Sequence, residues 1–336
     1  MRAAIYGAGA MGTVLGAYIA KAGKEIDLIN RNRAHVLAMR ENGAKIIGKA
    51  EFIQPVRALL PEEMQGKYDV ILLMTKQRQN EEICRFLLPF LAEDGAICTM
   101  QNGMPEPAVA EIIGAERTYG CAVAWGATFR GNGVSELTSE ADSLTFSLGA
   151  YSQNASRLQD IADLLSCMGK VEIERNFIGA RWSKLMINSA FSGLSTLTGE
   201  TFGYVAKQKK PRKVAQAILK ECMDVAFAAD IAIEKIQGHD VVKLLNYNNA
   251  LQKWKSFLLI PIAMRKHKSL ISSMLQDLRA GKLCEIDFIN GVVCDFGKRY
   301  GVSTPFNDRV VEIVHGIESG KYVLSPENIN CFDDLL

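Results

Sequence analysis

The sequence predicts an α/β chain in two parts, an N-terminal doubly wound sheet followed by an all-α C-terminal domain. Three observations predict it. Short apolar runs alternate with stretches of helical periodicity through the first half. The first of those runs empties directly into Gly7-Ala8-Gly9-Ala10-Met11-Gly12. From about Ile178 strand-like runs cease and helical spacing dominates. The expected division is 1–176 and 177–336, and 336 residues with 48% apolar content suffice for two domains with sizeable cores.

Ala3-Ala4-Ile5-Tyr6 reads as the first strand. Beyond the glycines, Met11, Leu15, Tyr18 and Ile19 recur at helical spacing, and Gly23 stands where that helix should stop. Strand, G-x-G-x-x-G and helix in this order form the dinucleotide-binding fingerprint of a Rossmann-type sheet. Gly7 permits the tight turn, Gly9 lets the backbone approach a pyrophosphate, and Gly12 lets helix and strand pack closely. Ala10 and Met11 open the helix, whose unpaired N–H groups and partial positive charge would face the phosphates.

The second strand, Glu25 to Asn30, ends without the acidic residue that commonly accepts a hydrogen bond from a ribose 2′-hydroxyl in NAD-binding folds. Asn30 is followed instead by Arg31 and Arg33. A guanidinium pairs with a 2′-phosphate that a carboxylate would repel, so NADP(H) is the expected cofactor. A helix over about 34–41 stops at Asn42-Gly43, and residues 44–67 read equally as short strands or linker. Asp69 to Met74 is a buried-type strand ending in Thr75-Lys76-Gln77. Ligands of open α/β sheets gather at strand carboxyl ends, which places Lys76 to meet a phosphate. After a helix over about 80–91, the strand 95–100 ends in Gln101-Asn102-Gly103, with Asn102 near an expected nicotinamide ribose. Runs at 118–125, 134–138 and 143–148 look like β structure, and a helix over 153–168 and a strand over 171–174 close the domain. In the second half one helix starts near Ala180, one runs from about Pro211 to Ile231, and one covers Cys284 to Arg299, with Pro305 opening the last.

Composition excludes several classes. Charged residues make up 23% with a formal net charge of +2, which gives no electrostatic case for a nucleic-acid partner. The basic run Lys207 to Lys213 reads as solvated surface. The eight cysteines form no C-x-x-C pair and no histidine stands at zinc-site spacing. No metal site is expected, and the thiols read as reduced and cytoplasmic. No stretch reaches the roughly 18 apolar residues of a membrane span, and no signal peptide is expected at the start.

Lys184, Asn188 and Ser192 are spaced four apart on one helical face, among Leu185, Met186, Ile187 and Ala190. A lysine among apolar neighbours is desolvated, which lowers its pKa and suits a general acid. The same spacing is also that of a plain exposed polar stripe. Further on stand Ser272-Ser273-Met274-Leu275-Gln276-Asp277 and Glu285-Ile286-Asp287-Phe288-Ile289-Asn290-Gly291.

With these two stretches, the glycine fingerprint and the Lys-x-x-x-Asn helix, the chain resembles the ketopantoate reductases (2-dehydropantoate 2-reductases) over essentially its whole length. The resemblance implies NADPH-dependent reduction of 2-dehydropantoate to pantoate in the route to pantothenate. It implies that Gly7, Gly9 and Gly12 hold the pyrophosphate, that Arg31 and Lys76 meet the 2′-phosphate, and that Asn102 contacts both cofactor ribose and substrate. Lys184 matches the family's proton donor, and Glu285 its second catalytic residue. Asn188 would orient the substrate and Ser273 would hold its carboxylate. The helical half would supply the substrate side of a cleft, closing about a hinge near 176–180. One departure stands out: the family often has asparagine where this chain has Ser192, and serine is too short to bridge two polar groups as an amide does. Reduction of another 2-keto acid therefore stays open, as do a non-catalytic NADP(H) sensor and a homodimer.

Overall fold

The computed structural model of the chain describes every residue except Gln237. It forms two compact units, Met1–Gln101 with Pro105–Phe177, and Asn102–Met104 with Ile178–Leu336.

In order, the first unit contains β1 (Ala3–Tyr6), α1 (Ala10–Lys21), β2 (Ile26–Ile29), α2 (Arg33–Asn42), β3 (Ala44–Gly48), β4 (Phe52–Gln54), β5 (Arg57–Leu59) and β6 (Tyr68–Leu73). It continues with α3 (Asn80–Leu87), β7 (Leu91–Thr99), α4 (Glu106–Ile113), β8 (Thr118–Val123), β9 (Ala127–Gly131), β10 (Val134–Leu137), β11 (Thr145–Ala150), α5 (Leu158–Leu165) and β12 (Lys170–Ile173). Eight strands join in the order β12-β11-β8-β7-β6-β1-β2-β5. β1 pairs in parallel with both β2 and β6, Ala3 lying opposite Ile26 on one side and Val70 on the other. Ala3, Ala4 and Ile5 are wholly buried, which is why this strand is an unbroken apolar run. The strand order reverses between β1 and β6, and a doubly wound sheet opens its crevice at the carboxyl ends of the strands at such a point.

Two features depart from the sequence reading. A second sheet, β4-β3-β10-β9, accompanies the first, and the ambiguous stretch 44–67 supplies two of its strands together with β5 of the main sheet. β3 pairs in parallel with β10, Lys45 opposite Val134. That long-range partnership leaves no local trace in a strand so short. The helix read over 153–168 is confined to α5, Leu158–Leu165.

The second unit is helical: α6 (Phe177–Ile187), α7 (Gly193–Thr198), α8 (Phe202–Lys207), α9 (Lys209–Ala228), α10 (Val241–Leu245), α11 (Ala250–Ala263), α12 (Ser273–Arg279), α13 (Asn290–Tyr300) and α14 (Pro305–Glu318). Its core is threaded by Trp182, wholly buried, whose indole N–H donates to the Cys222 carbonyl at 2.9 Å. The helix expected over 284–299 is broken. A 3₁₀ turn over Ile286–Phe288 precedes α13, and Ile289 between them leaves helical geometry at φ −117° and ψ −85°. Asn290 and Gly291 are weak helix formers, and the buried Asn290 side chain is bonded to other segments. All eight cysteines are free. No helix among the described residues is long and apolar enough to cross a membrane.

Candidate active site

The glycine turn that follows β1 uses its three glycines differently. Gly7 has φ +98°, and a Cβ there would stand 2.7 Å from the Thr75 backbone nitrogen. Gly12 lets α1 sit against the turn, since a Cβ would come 2.9 Å from the Gly7 carbonyl oxygen and 3.0 Å from Ile5 Cγ2. At Gly9 the nearest atom to such a Cβ is 4.0 Å away. Gly9 thus leaves open the space that a close-approaching ligand would use, while Gly7 and Gly12 shape the turn itself.

A residue the sequence reading passed over supports this turn. His35 is buried on α2, its Nδ1 accepting from the Gly133 backbone N–H at 2.9 Å. The proton is therefore on Nε2, which lies 3.0 Å from both the Ala8 carbonyl and the Thr13 hydroxyl. Burial pushes the His35 pKa below its ordinary value, consistent with a neutral ring used as a brace. Its position in the buried set His35, Val36 and Met39 of α2 was the available signal.

At the carboxyl ends of β1 and β6 lies a cavity of about 380 Å³ whose walls include Gly7, Gly9, Asn30, Arg31, Thr75 and Lys76. Four residues predicted to bind a nucleotide meet here: Gly7, Gly9, Arg31 and Lys76. Arg31 also donates to Gln79 Oε1 at 3.3 Å. Glu82 is the one carboxylate among the lining residues. Arg33, the other arginine of the turn, pairs with Glu62 at the surface instead. Ala10 and Met11 are half-buried at the start of α1. Asn102 is half-buried and belongs with the helical unit, not with the sheet whose strand precedes it.

In the helical unit, Lys184 is half-buried on α6, next to the buried Leu185 and Met186. The helix does not continue regularly. Asn188–Ser192 is a π turn, with the Gly193 N–H donating to the Asn188 carbonyl. Such turns inside helices cluster at functional sites. Asn188 and Ser192 are half-buried, and the Ser192 hydroxyl donates to Asn188 Oδ1 at 3.4 Å. Ser192 therefore touches the residue expected to orient a substrate. Of the paired serines, Ser272 is buried and caps α12 by accepting from the Leu275 N–H at 2.9 Å, with Thr196 Oγ1 2.7 Å away. Ser273 is exposed. Glu285 is half-buried and opens the 3₁₀ turn before α13.

Two family models match the chain. One, described as ketopantoate reductase PanE/ApbA, covers residues 3–152, and its C-terminal counterpart covers 176–318. The chain belongs to the ketopantoate reductase family. Among its relatives, the 2-dehydropantoate 2-reductase of Lactococcus lactis is 27% identical over 328 residues, covering 95% of this chain and 98% of that protein. That of Pyrococcus abyssi is 26% identical over 324 residues, with 95% and 98% covered. A ketopantoate reductase family structure from Ralstonia eutropha superposes with a TM-score of 0.80 at 25% identity, covering 96% of this chain and 99% of that one. A D-mandelate dehydrogenase solved with NADH and anilino(oxo)acetate superposes equally well, with a TM-score of 0.80 at 26% identity and 95% and 99% coverage. Ketopantoate reductases thus share this fold with an enzyme named for another 2-hydroxy acid.

Proposed function

We propose that the chain reduces 2-dehydropantoate to pantoate with NADPH. The observation that carries the reading is the cavity at the β1–β6 crevice, where Arg31 and Lys76 flank the open backbone at Gly9. These residues fit a dinucleotide: the backbone at Gly9 can be approached closely, and the two cations suit a 2′-phosphate. Gly7, Gly9, Ala10, Met11 and Gly12 would hold the pyrophosphate, and Asn102 the ribose nearest the nicotinamide. When bound, the reduced nicotinamide supplies a hydride.

This chain's own residues then manage charge and proton. Lys184, as ammonium, stabilises the negative charge that develops on the substrate carbonyl oxygen and gives it a proton. Glu285 holds the substrate hydroxyl and keeps Lys184 placed. Asn188, itself bonded by Ser192, orients the substrate, and the exposed Ser273 receives its carboxylate. The residues on one short stretch of helix and two turns therefore divide the work into charge stabilisation, orientation and carboxylate recognition.

A second reading, favoured by Ser192 and by the resemblance to D-mandelate dehydrogenase, is reduction of a different 2-keto acid. One assay tests both. NADPH oxidation is followed with 2-dehydropantoate beside phenylglyoxylate and aliphatic 2-keto acids. The first reading requires the highest kcat/KM with 2-dehydropantoate, and a larger value for another acid transfers the assignment. NADPH binding without turnover on any keto acid would leave only a sensor.

A further inference from the structure

Asn188 and Glu285 stand on segments far apart in sequence, and one sealed side chain joins those segments. Asn290, wholly buried, opens α13 just after the 3₁₀ turn that Glu285 begins. Its Nδ2 donates to the Ser189 carbonyl at 3.1 Å and to Asn307 Oδ1 at 2.9 Å. Asn307, also wholly buried, stands in the first turn of α14 and passes its own Nδ2–H to Glu221 Oε2 at 2.7 Å. Glu221 on α9 further accepts from the backbone N–H groups of Phe306 at 2.9 Å and Asn307 at 3.0 Å. The result is a continuous buried hydrogen-bonded strut from α9 through α14 and α13 to the π turn.

The π turn explains why such a strut is needed there. It carries one more residue than the α ladder pairs, so a carbonyl is left without a helical donor. Ser189, immediately after Asn188, has its carbonyl taken by Asn290. The backbone makes room for this: a Cβ on Gly193 would stand 2.7 Å from Asn290 Oδ1. An apolar residue of the same size at 290 could fill the space but could not hold the carbonyl, and a buried carbonyl stripped of its donor is costly.

We propose that Asn290 is a positioning residue, fixing the π turn that carries Asn188 and the turn that carries Glu285 in one mutual geometry, with Asn307 and Glu221 as its anchor. This rests on the assignment of Lys184, Asn188 and Glu285 as the reactive face. A displacement of about an ångström at a reacting group is enough to cost on the order of 10²-fold in rate. The strut therefore acts on kcat and leaves alone the nucleotide cavity, whose lining residues Gly7, Gly9, Arg31 and Lys76 all belong to the other unit.

The test uses full-length Asn290→Ala, Asn307→Ser, the double variant and Lys184→Ala. It measures kcat and KM for the 2-keto acid, the NADPH dissociation constant, melting temperature and the pH profile of kcat. Asn290→Ala should lower kcat at least tenfold below its melting temperature, with unchanged NADPH affinity and a displaced pH profile. Asn307→Ser should move the same quantities the same way by less, and the double variant should be no worse than Asn290→Ala. If Asn290→Ala does not fold, Asn307→Ser decides by the same readouts. A variant that melts earlier but keeps the parent's kcat and pH profile overturns the proposal and leaves only a structural role. If that happens while Lys184→Ala is inactive, the positioning inference alone fails. Wild-type turnover by Lys184→Ala removes the reactive-face assignment and this inference with it.

Discussion

Glu221 makes the stability of the helical unit depend on pH in a direction opposite to the usual carboxylate. Burial raises its pKa from the ordinary 4.5 to about 7, against the pull of three donors from Phe306 and Asn307 and with a further push from nearby Asp308. Below pH 4.5 the folded and unfolded forms both hold the proton. Between 4.5 and 7 the folded form keeps a proton that the unfolded form has lost. Stability from this group is therefore complete at low pH and is lost as pH rises through about 7. A shift of roughly 2.5 units at 1.36 kcal/mol each is on the order of 3 kcal/mol. The assay is urea denaturation of the wild type and Glu221→Gln at intervals from pH 4.5 to 8. Glutamine does not titrate, so the stability difference, wild type minus variant, should fall by about 3 kcal/mol across that range. Buried His35 contributes a slope of the other sign, the same in both proteins, and cancels. Parallel curves for the two proteins would refute the argument, because they would mean that Glu221 ionises in the folded chain as it does in the unfolded one.

Other outcomes follow from the site. Lys184→Ala should lower kcat with 2-dehydropantoate by about 10²-fold or more, the scale of a positioned proton donor, while NADPH titration by fluorescence shows unchanged affinity. Arg31→Ala should weaken NADPH far more than NADH in the same titration, and equal losses would remove the 2′-phosphate contact. Gly7→Ala meets both a positive φ and the Thr75 backbone at 2.7 Å, so it should abolish binding of both nucleotides and lower the melting temperature. Ser273→Ala, at an exposed position, should raise KM for the keto acid without changing the melting temperature.

The elements that could be read from sequence are those whose cause is local. β1 is a continuous apolar run, and β2 and β6 are mostly apolar with one aspartate each, Asp27 and Asp69; such runs follow from a sheet covered on both faces, and the glycine turn announces itself by spacing. The second sheet could not be read as one, since its two local antiparallel pairs, β3 with β4 and β9 with β10, are joined only through β3 and β10, about 90 residues apart. At the site, the four-residue spacing of Lys184, Asn188 and Ser192 was visible, but the π turn that alters their relation was not. Nothing in the composition of 188–192 marks it, and the residue that takes its Ser189 carbonyl, Asn290, lies about a hundred positions away. The helical periodicity of Cys284 to Arg299 puts Glu285 inside a helix, whereas the structure breaks that helix at Ile289. The difference between Ser272 and Ser273, one a cap and the other exposed, depends on Thr196 and Ser195 packed from another helix.

The short segment Asn102–Met104 has a practical bearing on how the chain can be dissected. It is counted with the helices although both its flanks lie in the other unit, and Met104, only 7% exposed, is packed among Trp182, Leu185 and their neighbours. A fragment beginning at Ile178 would be missing that methionine and would carry a hole in its interior. A fragment ending at Phe177 would display the same thioether to water. Splitting the gene at the obvious joint should therefore yield two sticky, poorly soluble products, and a useful dissection would have to graft those three residues back.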